Sequence, residues 1–167
     1  MLGRIATLSC LCMMAAAVPA AAQEAGQIVQ NEAWGTYSYV KDRSKVCYVL
    51  TVPVSAQPTT LNHGDVFFFV SQKPGQNVVY EPQFIAGYQL KDKSKVTVTI
   101  GNQSFSMFAG GNSAWLENIA EEPQLIAAMR GGADMKVSAT SGRGNPTSYV
   151  FSLKGVTAAL KSIANCK

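Results

Sequence analysis

The sequence predicts a mainly β protein, a small antiparallel β-sandwich with two short helices. Short runs of β-branched and aromatic residues recur along the chain, and turn-forming residues separate them. Apolar residues follow helical spacing in two places, after Pro123 and after Gly155. The length of 167 residues and the hydrophobic content of 47% suit one compact domain with its own core.

The first 22 residues have the organisation of a secretory signal peptide. Arg4 supplies a positive charge, residues 5–18 form a short apolar run, and Ala20 to Ala22 are the small residues expected at a cleavage site. The apolar run is too short for a comfortable membrane span. We therefore predict cleavage between Ala22 and Gln23, a mature chain without a transmembrane segment, and a location in the periplasm or outside the cell.

Lipidation at Cys10 or Cys12 is the alternative to simple cleavage. It is disfavoured because Thr-Leu-Ser before Cys10 is a poor lipobox and Leu11 before Cys12 is too bulky for one. The polar stretch 23–33 has no clear period, so we predict a flexible lead-in there. Residues 34–167 are expected to form a single β-rich domain.

Eight strands are expected within that domain. They lie at 36–40, 47–52, 66–70, 84–90, 96–100, 104–108, 135–140 and 148–153. The run 66–70 is apolar at every position, so we expect both faces of this central strand to be covered. Gly101-Asn102 between two strands predicts a tight hairpin.

Two short helices complete the prediction. Pro123 fits a first helical position, and Gly131 and Gly132 end that helix. The second helix follows Gly155, and its apolar positions 156, 159, 160 and 163 form one face that packs on the sheet.

Two cysteines remain once the signal peptide is removed, Cys47 and Cys166. Export places them in an oxidising compartment, which favours a disulfide between them. This bond would tie the C-terminal helix to the sheet. The alternative is a reactive thiol, but the chain has no Cys-x-x-Cys spacing and Cys47 lies inside an apolar run.

No catalytic constellation is evident. Ser38 and Lys41 match the Ser-x-x-Lys motif of penicillin-recognising enzymes, but the accompanying motifs are missing and the pair is expected in a strand. His63 could act as a base only with a nucleophile that the sequence does not identify. We expect a protein without enzymatic activity, cofactor or metal; an unrecognised hydrolase using these residues is the remote alternative.

The charge pattern indicates the kind of partner. The formal net charge is +4, without the dense basic stripe of a nucleic-acid-binding module, so we expect no nucleic-acid partner. Two polar turns are the candidate contacts for an anionic partner: Lys41, Arg43 and Lys45 in the first, and Lys91, Lys93 and Lys95 in the second. Asp42 and Asp92 dilute these clusters, so ordinary solvated turns are the alternative.

Several segments, in order, resemble the invasion-associated locus B family of exported bacterial proteins. They are Trp34 with 47–50, then 64–70, 84–88, 113–115 and 149–160, closing on Cys166. The resemblance implies an envelope or periplasmic protein of a family named for a role in host-cell entry, without assigned catalytic residues. It also implies that Cys47 and Cys166 form a disulfide pair.

The residue patterns and the family resemblance together predict a non-catalytic binding or envelope-interaction protein. Its partner is expected to be an envelope protein or an anionic envelope component. A structural adaptor for another envelope protein is the alternative. A concave aromatic pocket would favour the first interpretation, and a flat exposed apolar patch would favour the second. Trp34 and Trp115 are expected to be buried anchors, with ligand stacking as the alternative.

Overall fold

The computed structural model describes residues 26–41, 43–76 and 78–166. The predicted signal peptide, with its cleavage position between Ala22 and Gln23, lies outside these residues. The described chain forms eleven strands and two α-helices: β1 (Gly26–Asn31), β2 (Trp34–Lys41), β3 (Ser44–Thr51), β4 (Ser55–Gln57), β5 (Phe67–Lys73), β6 (Val78–Ile85), β7 (Lys95–Ile100), β8 (Gln103–Gly110), β9 (Ser113–Leu116), α1 (Glu122–Gly131), β10 (Asp134–Thr140), β11 (Pro146–Ser152) and α2 (Val156–Ile163).

The strands pair antiparallel in one continuous sheet with the order β1-β2-β3-β5-β6-β9-β8-β7-β10-β11-β4. The sheet folds over so that its two halves face each other across the core. The ring of Phe68 on β5 lies 5.9 Å from that of Phe151 on β11, and Phe84 on β6 lies 5.5 Å from Tyr149. The predicted fold, mainly antiparallel β with two helices, is confirmed, and its two layers are halves of a single sheet.

Most of the strands show the expected alternation of buried and more exposed side chains. On β7, Val96, Val98 and Ile100 are buried, while Thr97 and Thr99 point away from the core. The Gly101-Asn102 turn joins β7 to β8 as predicted, because Gly101 adopts a φ of 57° that side chains disfavour.

The C-terminal helix packs on the sheet by its apolar face. Val156, Ala159, Leu160 and Ile163 are fully buried or nearly so, and α2 contacts β1, β2 and β3. The predicted disulfide between Cys47 on β3 and Cys166 is present, with the two Cα atoms 5.8 Å apart. The helix is thus tied to the sheet both by packing and by a covalent bond.

The first helix behaves as its sequence predicts. Pro123 lies in its first turn, and Leu125, Ile126 and Met129 are buried. No helix in the described part of the chain is long and apolar enough to cross a membrane.

Two predicted segments differ in the structure. Part of the stretch expected as a flexible lead-in, from Gly26, pairs with β2 as strand β1, because the β2 edge offers unpaired backbone groups that sequence patterning does not reveal. The strand expected at 84–90 ends at Ile85, since Gly87 crosses closely over the backbone of Gly64 and leaves the ladder. Strands β4 and β9 and residues 78–83 of β6 were not predicted.

The central apolar strand differs from the prediction on one of its two faces. Phe68 and Val70 on β5 are buried as expected, but Phe67 and Phe69 are half-exposed. The elements with which β5 makes its main contacts, β3 and β6, are its neighbours in the same sheet. The expectation that both faces are covered is therefore wrong, and two phenylalanines remain on the outer face of the sheet.

Candidate interaction surface

The outer face of the sheet carries a row of side chains that crosses seven strands. Directly opposed residues of paired strands share one face. The register links Gly35, Leu50, Phe69, Gln83, Trp115, Phe108 and Lys95, from β2 to β7. Neighbouring residues on the same face of β2, β3 and β5 are also aromatic. We define the aromatic face as Tyr37, Tyr39, Tyr48, Phe67, Phe69, Phe108 and Trp115.

Tyr48 is at the centre of this face. Its ring stacks on Tyr37, with centroids 5.3 Å apart and planes 13° from parallel, and it contacts Tyr39 and Phe69 at 6.0 and 5.6 Å. Partial burial, followed by the neighbouring phenols of Tyr37 and Tyr39, raises the pKa of Tyr48. The phenol is therefore a neutral hydrogen-bond donor at physiological pH.

Gly35, the glycine in this row, sets the position of the Tyr37 ring. A Cβ atom at Gly35 would lie 2.6 Å from Cε2 of Tyr37, so the ring lies directly against the glycine. Such covering of a strand glycine by an aromatic side chain is a known means of stabilising sheets. Gly35 thus leaves room on the outer face of β2 for the ring of Tyr37.

The other end of the row is formed by β8 and β9. Phe108 and Trp115 stack with centroids 5.7 Å apart, and Phe108 is 48% exposed. Beyond them Lys95 pairs with Glu117 at 3.3 Å, an exposed ion pair that adds little stability. Trp115 is therefore on the surface, whereas Trp34 is buried and donates a hydrogen bond to the Ser152 carbonyl at 3.0 Å.

The first basic turn borders the aromatic face. We call Lys41, Arg43 and Lys45 the basic hairpin; all three are exposed, at or beside the turn between β2 and β3. Lys41 follows Tyr37 and Tyr39 on the outer face by strand alternation. Cationic and aromatic groups thus adjoin at this corner of the sheet.

The second basic turn lies at the opposite end of the row, where Lys95 is directly opposite Phe108. The basic hairpin is beside the turn that precedes β6, where Gly75 approaches Ser44. Lys91 and Lys93 instead follow the far end of β6, and the Lys91 N–H donates to the Thr140 carbonyl at 2.9 Å. Lys91, Lys93 and Lys95 are exposed there. The register therefore places the two turns at opposite ends of the β6 strand.

The catalytic candidates are not assembled. Ser38 and Lys41 are three residues apart in β2, so strand alternation directs their side chains to opposite faces. His63 hydrogen-bonds the Tyr149 hydroxyl at 2.8 Å and the Pro58 carbonyl at 2.9 Å. These contacts do not place His63 between a nucleophile and an acidic side chain. Within the described residues, no three His, Cys, Asp or Glu side chains are grouped to hold a metal ion.

Sequence reasoning missed the aromatic face as a unit. A signal was present, because Tyr37 and Tyr39 alternate with Thr36 and Ser38, and the run 66–70 has more aromatic residues than one buried face needs. Which strands lie side by side depends on long-range pairing, which sequence patterning does not supply.

Comparisons with known proteins agree with the architecture. Among curated proteins, no sequence matches this chain. The crystal structure of invasion associated protein b from Bartonella henselae is similar in fold, with a TM-score of 0.59 and 14% sequence identity over 86% of this chain and 96% of that one. The family model for the invasion associated locus B (IalB) protein matches residues 36–164, so that the chain belongs to the IalB family.

Proposed function

We propose that this protein is exported to the cell envelope and binds another envelope protein, without catalysing a reaction. The contact is made by the aromatic face together with the basic hairpin. The protein thus works as an adaptor in the periplasm or outside the cell. The Bartonella henselae protein of similar fold is named an invasion associated protein, and the proposal includes a contribution of this contact to host-cell entry.

Export is supported by the N-terminal sequence and by the disulfide. Residues 1–22 have the order of charge, apolar run and small residues typical of a signal peptide, with cleavage expected between Ala22 and Gln23. The Cys47–Cys166 bond is the kind of cross-link that persists in oxidising compartments. The IalB family is not a known enzyme family, which supports a binding role.

The observation that carries the binding role is the aromatic face itself. Seven aromatic side chains lie on one outer face of the sheet, half-buried or exposed. Tyr, Trp and Phe are enriched in protein interfaces, where they supply large contact area with few rotatable bonds. The hydroxyl groups of Tyr37, Tyr39 and Tyr48 have no hydrogen-bond partner among the described residues, so a partner can accept from them.

The basic hairpin indicates the charge of the partner. Lys41 and Arg43 are exposed beside Tyr39, and a protein with acidic residues around an apolar patch would complement this corner. A surface that extends over aromatic residues of five strands suits a folded protein better than a small ligand, which requires a concave site. An anionic lipid surface is the competing candidate, and the experiment must distinguish it from a protein partner.

The first experiment places a photo-crosslinking phenylalanine analogue at position 69 in the protein expressed in its native cell envelope. We expect covalent adducts with one defined envelope protein on ultraviolet exposure. The matched control carries the analogue at Ile119, an apolar residue that is 76% exposed and outside the aromatic face. Adducts with lipid alone, or equal protein adducts at both positions, would contradict the proposal.

The second experiment measures affinity for the purified partner found in this way. Tyr39→Ser should weaken binding by roughly tenfold or more, as loss of an aromatic contact commonly does. Arg43→Gln should slow association and reduce its dependence on salt. Ile119→Ser is the control and should leave both quantities unchanged. Unchanged affinity of Tyr39→Ser would exclude the aromatic face as the contact.

A further inference from the structure

A cleft with several polar side chains lies apart from the aromatic face. It has a volume of about 590 Å³ and is lined by the loop 61–64, the segment 87–89 and the turn between β10 and β11. This volume is in the range of small-molecule sites. The side chains that matter for its chemistry are Asn62, His63, Tyr88, Gln89, Arg143 and Asn145.

One wall of the cleft depends on two glycines. Gly64 has a φ of 60°, and a Cβ atom there would lie 2.8 Å from the Gly87 carbonyl oxygen. A Cβ atom at Gly87 would lie 2.5 Å from the Asp65 nitrogen. The two backbones can cross this closely only because both residues lack a side chain. The crossing fixes the loop that carries Asn62 and His63 against the segment that carries Tyr88.

The floor is a chain of hydrogen bonds that ends at a carbonyl group. His63 Nε2 donates to the Pro58 carbonyl, so in the neutral imidazole Nδ1 accepts from the Tyr149 hydroxyl at 2.8 Å. Tyr88 lies 2.8 Å from the Tyr149 oxygen and 2.6 Å from the Thr147 hydroxyl. Burial, followed by the hydrogen bond with Tyr88, raises the pKa of Tyr149 above its usual value. The polar groups of the floor are therefore already paired within the protein, and the Tyr88 ring is held in place.

The opposite wall is also fixed by the backbone. The Ser141 N–H donates to the Asn145 carbonyl at 2.9 Å, and the Gly142 N–H donates to the Gln89 carbonyl at 2.7 Å. These bonds use backbone groups. The side chains of Gln89, Arg143 and Asn145 have no hydrogen-bond or ion-pair partner among the described residues.

The lining thus combines one cation, several neutral amides and an aromatic ring, and it includes no carboxylate among the described residues. A guanidinium group recognises a carboxylate through two parallel hydrogen bonds. Side-chain amides both donate and accept, as the hydroxyl groups of a sugar do. The face of a tyrosine ring suits the apolar face of a sugar ring.

We infer that this cleft binds an acidic sugar, with its carboxylate on Arg143. The amides of Asn62, Gln89 and Asn145 contact the hydroxyl groups, and the ring packs on Tyr88. A neutral sugar lacks the group that Arg143 recognises, and a bare phosphate lacks the hydroxyl groups and the ring face. This site is independent of the protein contact proposed above, because none of its residues belongs to the aromatic face or the basic hairpin.

The test is a titration of the isotope-labelled full mature chain, followed by amide chemical shifts. D-glucuronate should shift the resonances of residues 62–64, 87–89 and 141–145. D-glucose at the same concentrations should not, and inorganic phosphate should bind at least tenfold more weakly than glucuronate, because it forms only the charged contact.

Two variants separate this site from the rest of the surface. Arg143→Gln should weaken glucuronate binding by roughly tenfold or more, since it removes a charge-assisted hydrogen bond. Arg43→Gln is the matched control in the basic hairpin and should leave the titration unchanged. Equal binding of phosphate and glucuronate, shifts outside the cleft, or an unchanged affinity of Arg143→Gln would each overturn the inference. Protein-partner crosslinking at position 69 is unaffected by any of these outcomes.

Discussion

At position 87, one side-chain carbon decides whether two loops can cross. Gly87 lies against the backbone of His63, Gly64 and Asp65, which leaves no space for a Cβ atom. The crossing turns the chain out of β6 and brings His63 onto the Tyr149 hydroxyl. A residue that sequence patterning treats as the middle of a strand therefore fixes the position of the single histidine.

Gly87→Ala should lower the free energy of unfolding by more than about 1 kcal/mol, because the added methyl group forces two backbones apart. Urea unfolding monitored by fluorescence measures this change. Gly131→Ala is the control, since no atom lies within 4 Å of a Cβ atom there and the residue ends α1; it should be neutral or slightly stabilising. Equal stability of the wild type and Gly87→Ala would show that the loops do not cross this closely.

At the scale of elements, α2 is held to the sheet by two different means. Its apolar face is buried against β1, β2 and β3, and Thr36 shares a 2.9 Å hydrogen bond with Ser162. The disulfide adds a covalent link from β3 to Cys166, just past the helix. Because it joins residues 119 positions apart, the bond restricts most of the unfolded chain.

Replacing Cys47 and Cys166 together by alanine should lower the free energy of unfolding by roughly 2–5 kcal/mol. Amide hydrogen exchange in α2 should accelerate more than exchange in β7 and β8, which lie far from the bond along the sheet. Reduction of the wild-type protein is the internal control and should reproduce both effects. A double variant with wild-type stability would mean that packing alone fixes the helix.

At the scale of the whole molecule, one sheet has a buried inner face and a more exposed outer face. The inner face closes on the core through contacts such as Phe68 with Phe151. The outer face presents aromatic residues from β2, β3, β5, β8 and β9, and their side chains are half-buried or exposed. The same alternation that builds the core thus also builds the surface that we propose as the contact.

Export concerns the whole chain, and the intact mass of the purified protein tests it through the expected cleavage and disulfide. We expect the protein purified from its native envelope to begin at Gln23 and to gain about 2 Da on reduction, one hydrogen for each sulfur. Alkylating reagent should add no mass before reduction and two labels after it. A chain that retains residues 1–22 or has free thiols would contradict the export argument, and a chain that carries a lipid would contradict cleavage between Ala22 and Gln23.

The sequence alone determined the mainly β class, both helices and the disulfide. These features depend on local patterns, namely alternation, helical spacing around Pro123 and Gly155, and the two cysteines of the mature chain. It also identified the basic hairpin as a turn. Each of these conclusions follows from neighbours along the chain.

Only the tertiary structure decided which strands lie side by side and which face stays uncovered. The aromatic face joins residues from Tyr37 to Trp115 through pairings between distant strands, and the cleft joins His63 to Tyr149. Local periodicity gives the direction of a side chain relative to its own strand, but the register between strands fixes its neighbours. That register is set by the packing of the whole core, so both candidate sites emerge only once the sheet has folded.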